Sequence, residues 1–279
     1  MKTARIGTLL VATNDLPEYD NPPVTEVVCG VLFKNLEAFR LPHFGLFWEK
    51  CRVDYPICQE VAPLMPVIEH FGEEPETLLQ LSEMPLPRVW FVHREEMGII
   101  QVERDRFLHN WKKSKPTDSY VRYNTVIDLF RRHLDSFDSF LKENSLGTIE
   151  PLQYEMTYVN HIVQGEGWNE VSDLGNVFRD HQWNGKQNRF LPGIEHLNLR
   201  KSFVLPTHRD RLHVSIRDGK RLTDSKPLFL FDLTVRGFPG DVSRNAMWPW
   251  FDVAHEWIVR GFTDLTTEGI QKTVWGRTR

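Results

Sequence analysis

The chain is poor in cysteine. Its 279 residues contain three, Cys29, Cys51 and Cys58. This odd, sparse set has no CxxC pair, which argues against a disulfide framework and for reduced thiols in a cytosolic protein. Long apolar runs are missing too: nothing approaches the roughly 18 consecutive apolar residues that a membrane span needs. The apolar run at 8–13 (TLLVAT) is too short for a signal sequence and is followed by acidic residues. Charge of one sign is also lacking. A net charge of −4 provides no global basic field of the kind nucleic-acid-binding domains carry, although a local basic face stays open.

Signatures of catalysis are absent from the string of residues. There is no GxxxxGK[ST] loop, no GxGxxG after a strand and no GxSxG elbow. The cysteines and histidines do not fall into CxxC or HExxH spacing. The nearest approach to a ligand pair is His208 with His213, and a spacing of five across a turn–strand junction does not aim two imidazoles at one point. No metal and no cofactor are expected.

What the chain has is rings. It carries nine Trp and eighteen Phe. Most of them are read as core, while Trp is also a favoured interface anchor. Hydrophobic content of 41% and charged content of 26% are those of a globular protein. The length suits one large domain or two closely packed halves, and such a chain buries a substantial core unaided.

The organisation follows from hydrophobic period and from proline and glycine. Residues 1–20 read as a loosely ordered leader, stiffened at Pro22 and Pro23. A β-rich run follows at 24–33, with Glu26 at its exposed beginning. A short helix is expected over 41–51, with Phe44, Phe47, Trp48 and Cys51 on one side. Prolines at 56, 63 and 66 mark 55–71 as loop and short helical turns, and 72–88 is an acidic connection. Residues 88–113 (RVWFVHREEMGIIQVERDRFLHNWKK) read as two strands joined at 95–98, the second continuous to Trp111. Neither of its faces is purely apolar.

After a turn at 113–118, the spacing of Tyr123, Val126, Ile127, Phe130, Leu134, Phe137 and Leu141 predicts a long amphipathic helix over 119–144. A strand covers 149–163, with Tyr154, Met156, Tyr158, Asn160 and Ile162 on one face. The texture changes at 165–193, where a short helix is expected at 170–179 and the boundary between halves is placed. Three strands follow at 196–205, 211–217 and 227–237, with a hairpin turn at Asp218-Gly219. A closing helix at 247–266 carries Trp250, Phe251, Ala254, Trp257, Ile258, Phe262 and Leu265. A strand follows the first long helix and none follows the second, so the two halves do not superpose as a duplication.

Two clusters stand out. Arg104, Arg106, His109, Trp111 and Lys112, with Arg122 and Tyr123 just beyond the turn, interleave bases and rings. That composition suits a phosphate-and-stacking surface or a protein-binding hot spot, as against a solvated rim. The other is Arg211, His213, Arg217, Asp232, Thr234 and Arg236, which cross-strand pairing would make an ordinary wet sheet face. Between them, Glu155, Asn160 and His161 form a polar cluster that needs partners if buried. Glu103, Asp105 and Glu155 meet only if the 88–113 hairpin pairs directly with strand 149–163, the arrangement a metal-dependent nuclease would require.

Taken together, NPPVTEVVCGVLF, RVWFVHREEMGIIQVERDRFLHNWKK, YVRY at 120–123, YEMTYVNHI and the closing FTDLT…WG resemble a sporadically distributed family of uncharacterised bacterial proteins. The likeness runs from about Asn21 to Trp275, and its specific parts are IIQVERDRFLHNWKK and YEMTYVNHI. That family has no assigned activity, so no catalytic residue is carried over. The resemblance implies a bacterial cytoplasmic unit with a mobile, accessory role, in antiviral defence or a toxin–antitoxin-like pair. The expected fold is α+β: antiparallel sheets in two strand-rich halves, 21–164 and 165–279, packed as one unit, with two long amphipathic helices on them. The expected function is non-enzymatic recognition of a protein partner, with no membrane contact. Nucleic-acid or nucleotide binding through the basic-aromatic strand, and a metal-dependent hydrolase, are the alternatives.

Overall fold

A computed structural model describes residues 16–64, 67–71, 86–181, 190–207, 209–240 and 244–279. Most of the expected leader, 72–85 of the acidic connection, 182–189 of the texture change and His208 lie outside the described residues. The described strands are β1 (Val24–Phe33), β2 (Ile57–Val61), β3 (Arg88–Val92), β4 (Gly98–Val102), β5 (Arg106–Lys112), β6 (Pro151–Val163), β7 (Asn198–Val204), β8 (Asp210–Lys220) and β9 (Pro227–Gly237). They form a single sheet in the order β2-β3-β4-β5-β1-β6-β9-β8-β7, antiparallel at every junction.

The strand course repeats. β1 pairs with the last strand of its own run, β5, and β6 pairs with the last strand of its run, β9. The strand after the first long helix, which argued against a duplication in sequence, is β6 itself, the first strand of the second course. β1 and β6 then pair with each other at the centre, Cys29 opposite Met156.

Alternation aims one face of the sheet at the helices. Cys29, Val31, Phe107, Met156, Phe231 and Leu233 are all fully buried there. Against this face lie α1 (Leu41–Cys51), α2 (Tyr123–Glu143), the short α3 (Leu174–Val177), α4 (Arg244–Leu265) and α5 (Glu268–Thr273). The apolar stripe of α2 is the one its period predicts: Val126, Phe130, Leu134, Phe137 and Leu141 are buried. Phe137 stacks on Phe107 at 5.1 Å and meets Phe47 of α1 edge-on at 5.0 Å. α4 lies on β6 and β9, with Phe262 stacked on Phe231 at 5.7 Å, and touches α2 where Phe251 meets Phe130 at 5.2 Å. On β6, β8 and β9 the outer face is polar, held by Arg217–Asp232 at 2.8 Å, Thr157–Thr234 at 2.8 Å and an Arg236–Glu155 pair. Among the described residues, no helix is long and apolar enough to cross a membrane.

Several expectations need correction. The second strand of the 88–113 hairpin is two strands, β4 and β5, separated by a turn at 103–105. No glycine or proline marks that turn. It is set by long-range partners, since the amides of Phe33 and Leu36 donate to the carbonyls of Asp105 and Arg104 at 2.8 and 2.9 Å. Residues 57–61, expected as loop, form the edge strand β2. β8 runs through Asp218-Gly219 to Lys220, because Asp218 is tied back to Leu197 and His196. The turn falls instead at 221–226, where Asp224 accepts from Arg221 at 2.9 and 2.5 Å.

α2 begins at Tyr123 rather than 119, since Arg122 sits at φ 71°, outside helical geometry. Glu26 is half-buried, accepts from Asn110 at 2.5 Å, and burial pushes its carboxyl pKa up. Residues 19–21, at the end of the expected leader, are pinned by Tyr19–Arg277 and Asn21–Trp275 backbone pairing.

The aromatic junction of α1, α2 and β5 makes a direct prediction. Phe137→Ala empties a fully buried ring site and is expected to cost about 3–5 kcal/mol. Urea unfolding reads this as a lower midpoint at unchanged slope. A loss under 1 kcal/mol contradicts the packing described.

Candidate functional site

Among the described residues, the sheet and the two long helices enclose a recess where the end of β6 meets the start of β1. It is a cavity of about 620 Å³ between the first turn of α2 and the middle of α4, within the usual range for a ligand site. Its polar walls include residues from 16–19, the approach to α2 (Tyr120, Arg122), β6 (Tyr158, Asn160), α4 (Asp252, His255, Glu256) and the C-terminal Arg279. Four of the chain's six tyrosines, Tyr19, Tyr120, Tyr123 and Tyr158, line it.

These groups are tied to one another. Tyr120 and Tyr158 share a hydrogen bond between their hydroxyls at 2.8 Å, and the Tyr158 hydroxyl meets His255 Nδ1 at 2.9 Å. Tyr123 lies flat on the His255 ring, 4.1 Å between centroids and 3° between planes, and donates to Asp252 Oδ1 at 2.7 Å. Tyr19 exchanges a hydrogen bond with Thr263 at 2.7 Å. Arg122 donates to the Tyr19 carbonyl at 3.1 Å and has no carboxylate partner among the described residues. Asn160, only 1% exposed, donates through Nδ2 to the Phe231 carbonyl at 2.9 Å, while its Oδ1 has no partner among the described residues.

Burial sets the protonation of the cavity. It pushes the phenols of Tyr19, Tyr120, Tyr123 and Tyr158 up. It pulls His255 down to about 4. At neutral pH these tyrosines and His255 are therefore neutral donors and acceptors, because a charge on them would lose its hydration, and they stand beside the acidic and basic side chains Glu18, Asp252, Glu256, Arg122 and Arg279 of the same lining. With the imidazole neutral, one of its nitrogens accepts and the other donates. The Tyr120–Tyr158–His255 chain can thus orient its protons in either direction.

The residues singled out in the sequence disperse. Arg122, Tyr123 and Asn160 line the cavity. Trp111 backs it from the core, 5.2 Å from the Tyr120 ring. His109 is buried under α2 instead, 4.9 Å from the His133 ring and 3.5 Å from the Tyr55 hydroxyl. Arg104 sits in the 103–105 turn and donates to Glu37. Arg106 and Lys112 alternate onto the outer face, Arg106 beside the Glu155–Arg236 pair and Lys112 opposite Glu26. His161 is half-buried on that same outer face, opposite Leu230.

The Arg104–Lys112 stretch is therefore not a single basic-aromatic surface. Its rings face the core and its bases face away, because alternation along β5 sets Phe107, His109 and Trp111 opposite Arg106 and Lys112, while Arg104 lies in the turn. Glu103, Asp105 and Glu155 do not gather either: β1 lies between β5 and β6, Glu103 accepts from the Leu64 amide at 3.2 Å, and Glu155 is held by Arg236. Among the described residues, no group of three or more His, Cys, Asp or Glu is arranged to hold a metal ion.

Sequence reasoning missed Tyr19, Tyr120, Tyr158, Asp252, His255 and Glu256. The signal available was modest: six tyrosines, two of them flanking Arg122 in YVRY, against far more numerous Phe and Trp. No protein-family model matches the chain, and no curated protein sequence matches it.

A pH dependence follows from the buried imidazoles. Burial holds His133 and His255 near 4, and His109 well below its usual value. Their unfolded values lie near 6.5, so between about pH 6.5 and 4 these three sites bind more protons in the unfolded chain than in the folded one. Their contribution to stability falls as pH falls through this window. The expected slope includes about one proton per imidazole, and His133→Gln is expected to remove about one proton of it. Unfolding midpoints in urea measured across that window test this; a slope unchanged by His133→Gln contradicts it.

Proposed function

We propose that this is a non-enzymatic recognition protein that binds a protein partner in the cleft between α2 and α4. The observation that carries the reading is the cleft's composition: four tyrosines and Arg122 around about 620 Å³ of space. Tyr and Arg are the residue types that concentrate binding energy at protein interfaces. Rigid scaffolding favours the same reading. The cleft's rings are held by mutual hydrogen bonds and stand on a nine-stranded sheet, so little ordering entropy is lost on binding.

A catalytic reading has less support. General base catalysis at neutral pH wants a group with a pKa near 7, whereas His255 is held at about 4 and its Nδ1 is already engaged by Tyr158. The likeness to a sporadic bacterial family belongs to this reading, and with it a cytoplasmic accessory role in antiviral defence or a toxin–antitoxin-like pair. The halves 21–164 and 165–279 are taken to act as one unit, because β6 of the first pairs along its length with β9 of the second and both carry cleft residues.

Photo-crosslinking tests the proposal. A benzophenone side chain at Asn124, on the cleft rim, is expected to trap one stoichiometric protein from extract of the source cells. The same group at Arg52, on the far side of α1, is expected to trap none. Tyr123→Ala is expected to weaken that complex by about tenfold or more. Failure to trap any protein at Asn124 would falsify the reading.

A further inference from the structure

Two features of the cleft are unfinished, and they ask for opposite chemistry. The first is Asn160 Oδ1. The side chain is almost fully buried, and its amide cannot turn over, because Nδ2 is committed to the Phe231 carbonyl. A buried acceptor without a donor carries a desolvation penalty, and the residue lines the cavity. What enters must bring an N–H or O–H.

The second lies at the start of α2. This helix of 21 residues has no side-chain cap among the described residues and no acid in its first turn. Its first two residues, Tyr123 and Asn124, line the same cavity. Uncapped first-turn amides and the positive end of the helix dipole favour an anion. Arg122 stands beside them with its guanidinium given to a carbonyl and to no carboxylate among the described residues.

The rest of the lining limits that anion to a single charge. Glu18, Asp252 and Glu256 outnumber Arg122 and Arg279. Each acid is already engaged, by Arg279, Tyr123 and Arg260 respectively. A doubly charged phosphate would meet three carboxylates with one uncommitted cation. A carboxylate would not be overcompensated in this way.

One ligand supplies a monoanion and an N–H donor a short distance apart: the end of a polypeptide chain. We infer that the cleft recognises the free C-terminus of its partner, the terminal carboxylate seated at the start of α2 beside Arg122 and a backbone N–H of the same tail donated to Asn160 Oδ1. This rests on the protein-recognition reading and sharpens it, since capture of a terminal carboxylate by backbone amides is an established mode of peptide binding. The neutral Tyr120–Tyr158–His255 chain suits the role, because its protons can reorient to whatever polar group the penultimate residues present.

The test uses the full chain and a library of short random peptides displayed with free C-termini. An enriched sequence is then synthesised as the acid and as the C-terminal amide, and both are titrated by fluorescence anisotropy. The acid is expected to bind at least about tenfold more tightly. Arg122→Gln is expected to erase that difference, whereas Glu49→Gln, on the exposed face of α1, is expected to keep it. Acid and amide binding equally, with loss of both in Tyr123→Ala, overturns the terminal-carboxylate inference and leaves protein recognition by the cleft standing. Enrichment of no peptide, or displacement of the enriched peptide by adenosine monophosphate, overturns both.

Discussion

The pairing of β1 with β6 is the contact on which the rest of this molecule depends. It runs from Val24 opposite Asn160 to Phe33 opposite Pro151, and each strand has its own run of hairpins on the other side. Without it there would be two sheets of five and four strands, each with an exposed edge, and such edges are liabilities. With it, the inner face is continuous, and α2 and α4 lie side by side on one apolar floor. The register shift between Val24 and Glu26 ends the regular pairing beside Asn160. The recess opens at that point, with Val24 and Asn160 both in its lining.

Aromatic packing then sets the shape of the recess. Phe130 and Phe251 hold α2 to α4 deep in the core. Tyr123 on His255 holds them again at the cleft, through stacking rather than interdigitation. Planar groups leave space at their edges that branched aliphatics would fill. The recess is thus a consequence of building a helix–helix contact from rings at the rim of a sheet.

Burial decides the electrostatics on both faces. Under the helices, burial keeps His109, His133, His255 and the cleft tyrosines neutral, which makes the fold acid-sensitive and places neutral hydrogen-bonding groups beside the charged side chains of the cleft. On the outer face, Arg211, His213, Arg217 and Arg236 are matched by Glu69, Asp232 and Glu155. Those pairs are partly wet and add modestly to stability. At the cleft, Arg122 has no carboxylate partner among the described residues.

Much of this architecture was legible in the residues. The alternation of β9 and the inner face of β6 are local properties, as are the stripe of α2 and the bounds of α1, and local periodicity reports them faithfully. The edge strand β2 was not legible, because ICQEV has no buried face to imprint a pattern. Nor was the 103–105 turn, whose cause lies about seventy residues upstream in the amides of Phe33 and Leu36. The cleft was legible only in part. Arg122 and Tyr123 drew notice as bases among rings and Asn160 as a polar residue on an apolar face, yet nothing in the string joins them to Asp252 and His255. By itself the sequence determined which faces must be hidden. Tertiary structure alone decided which hidden faces meet, because strand pairing and ring stacking bring together groups whose separation along the chain leaves no periodic trace.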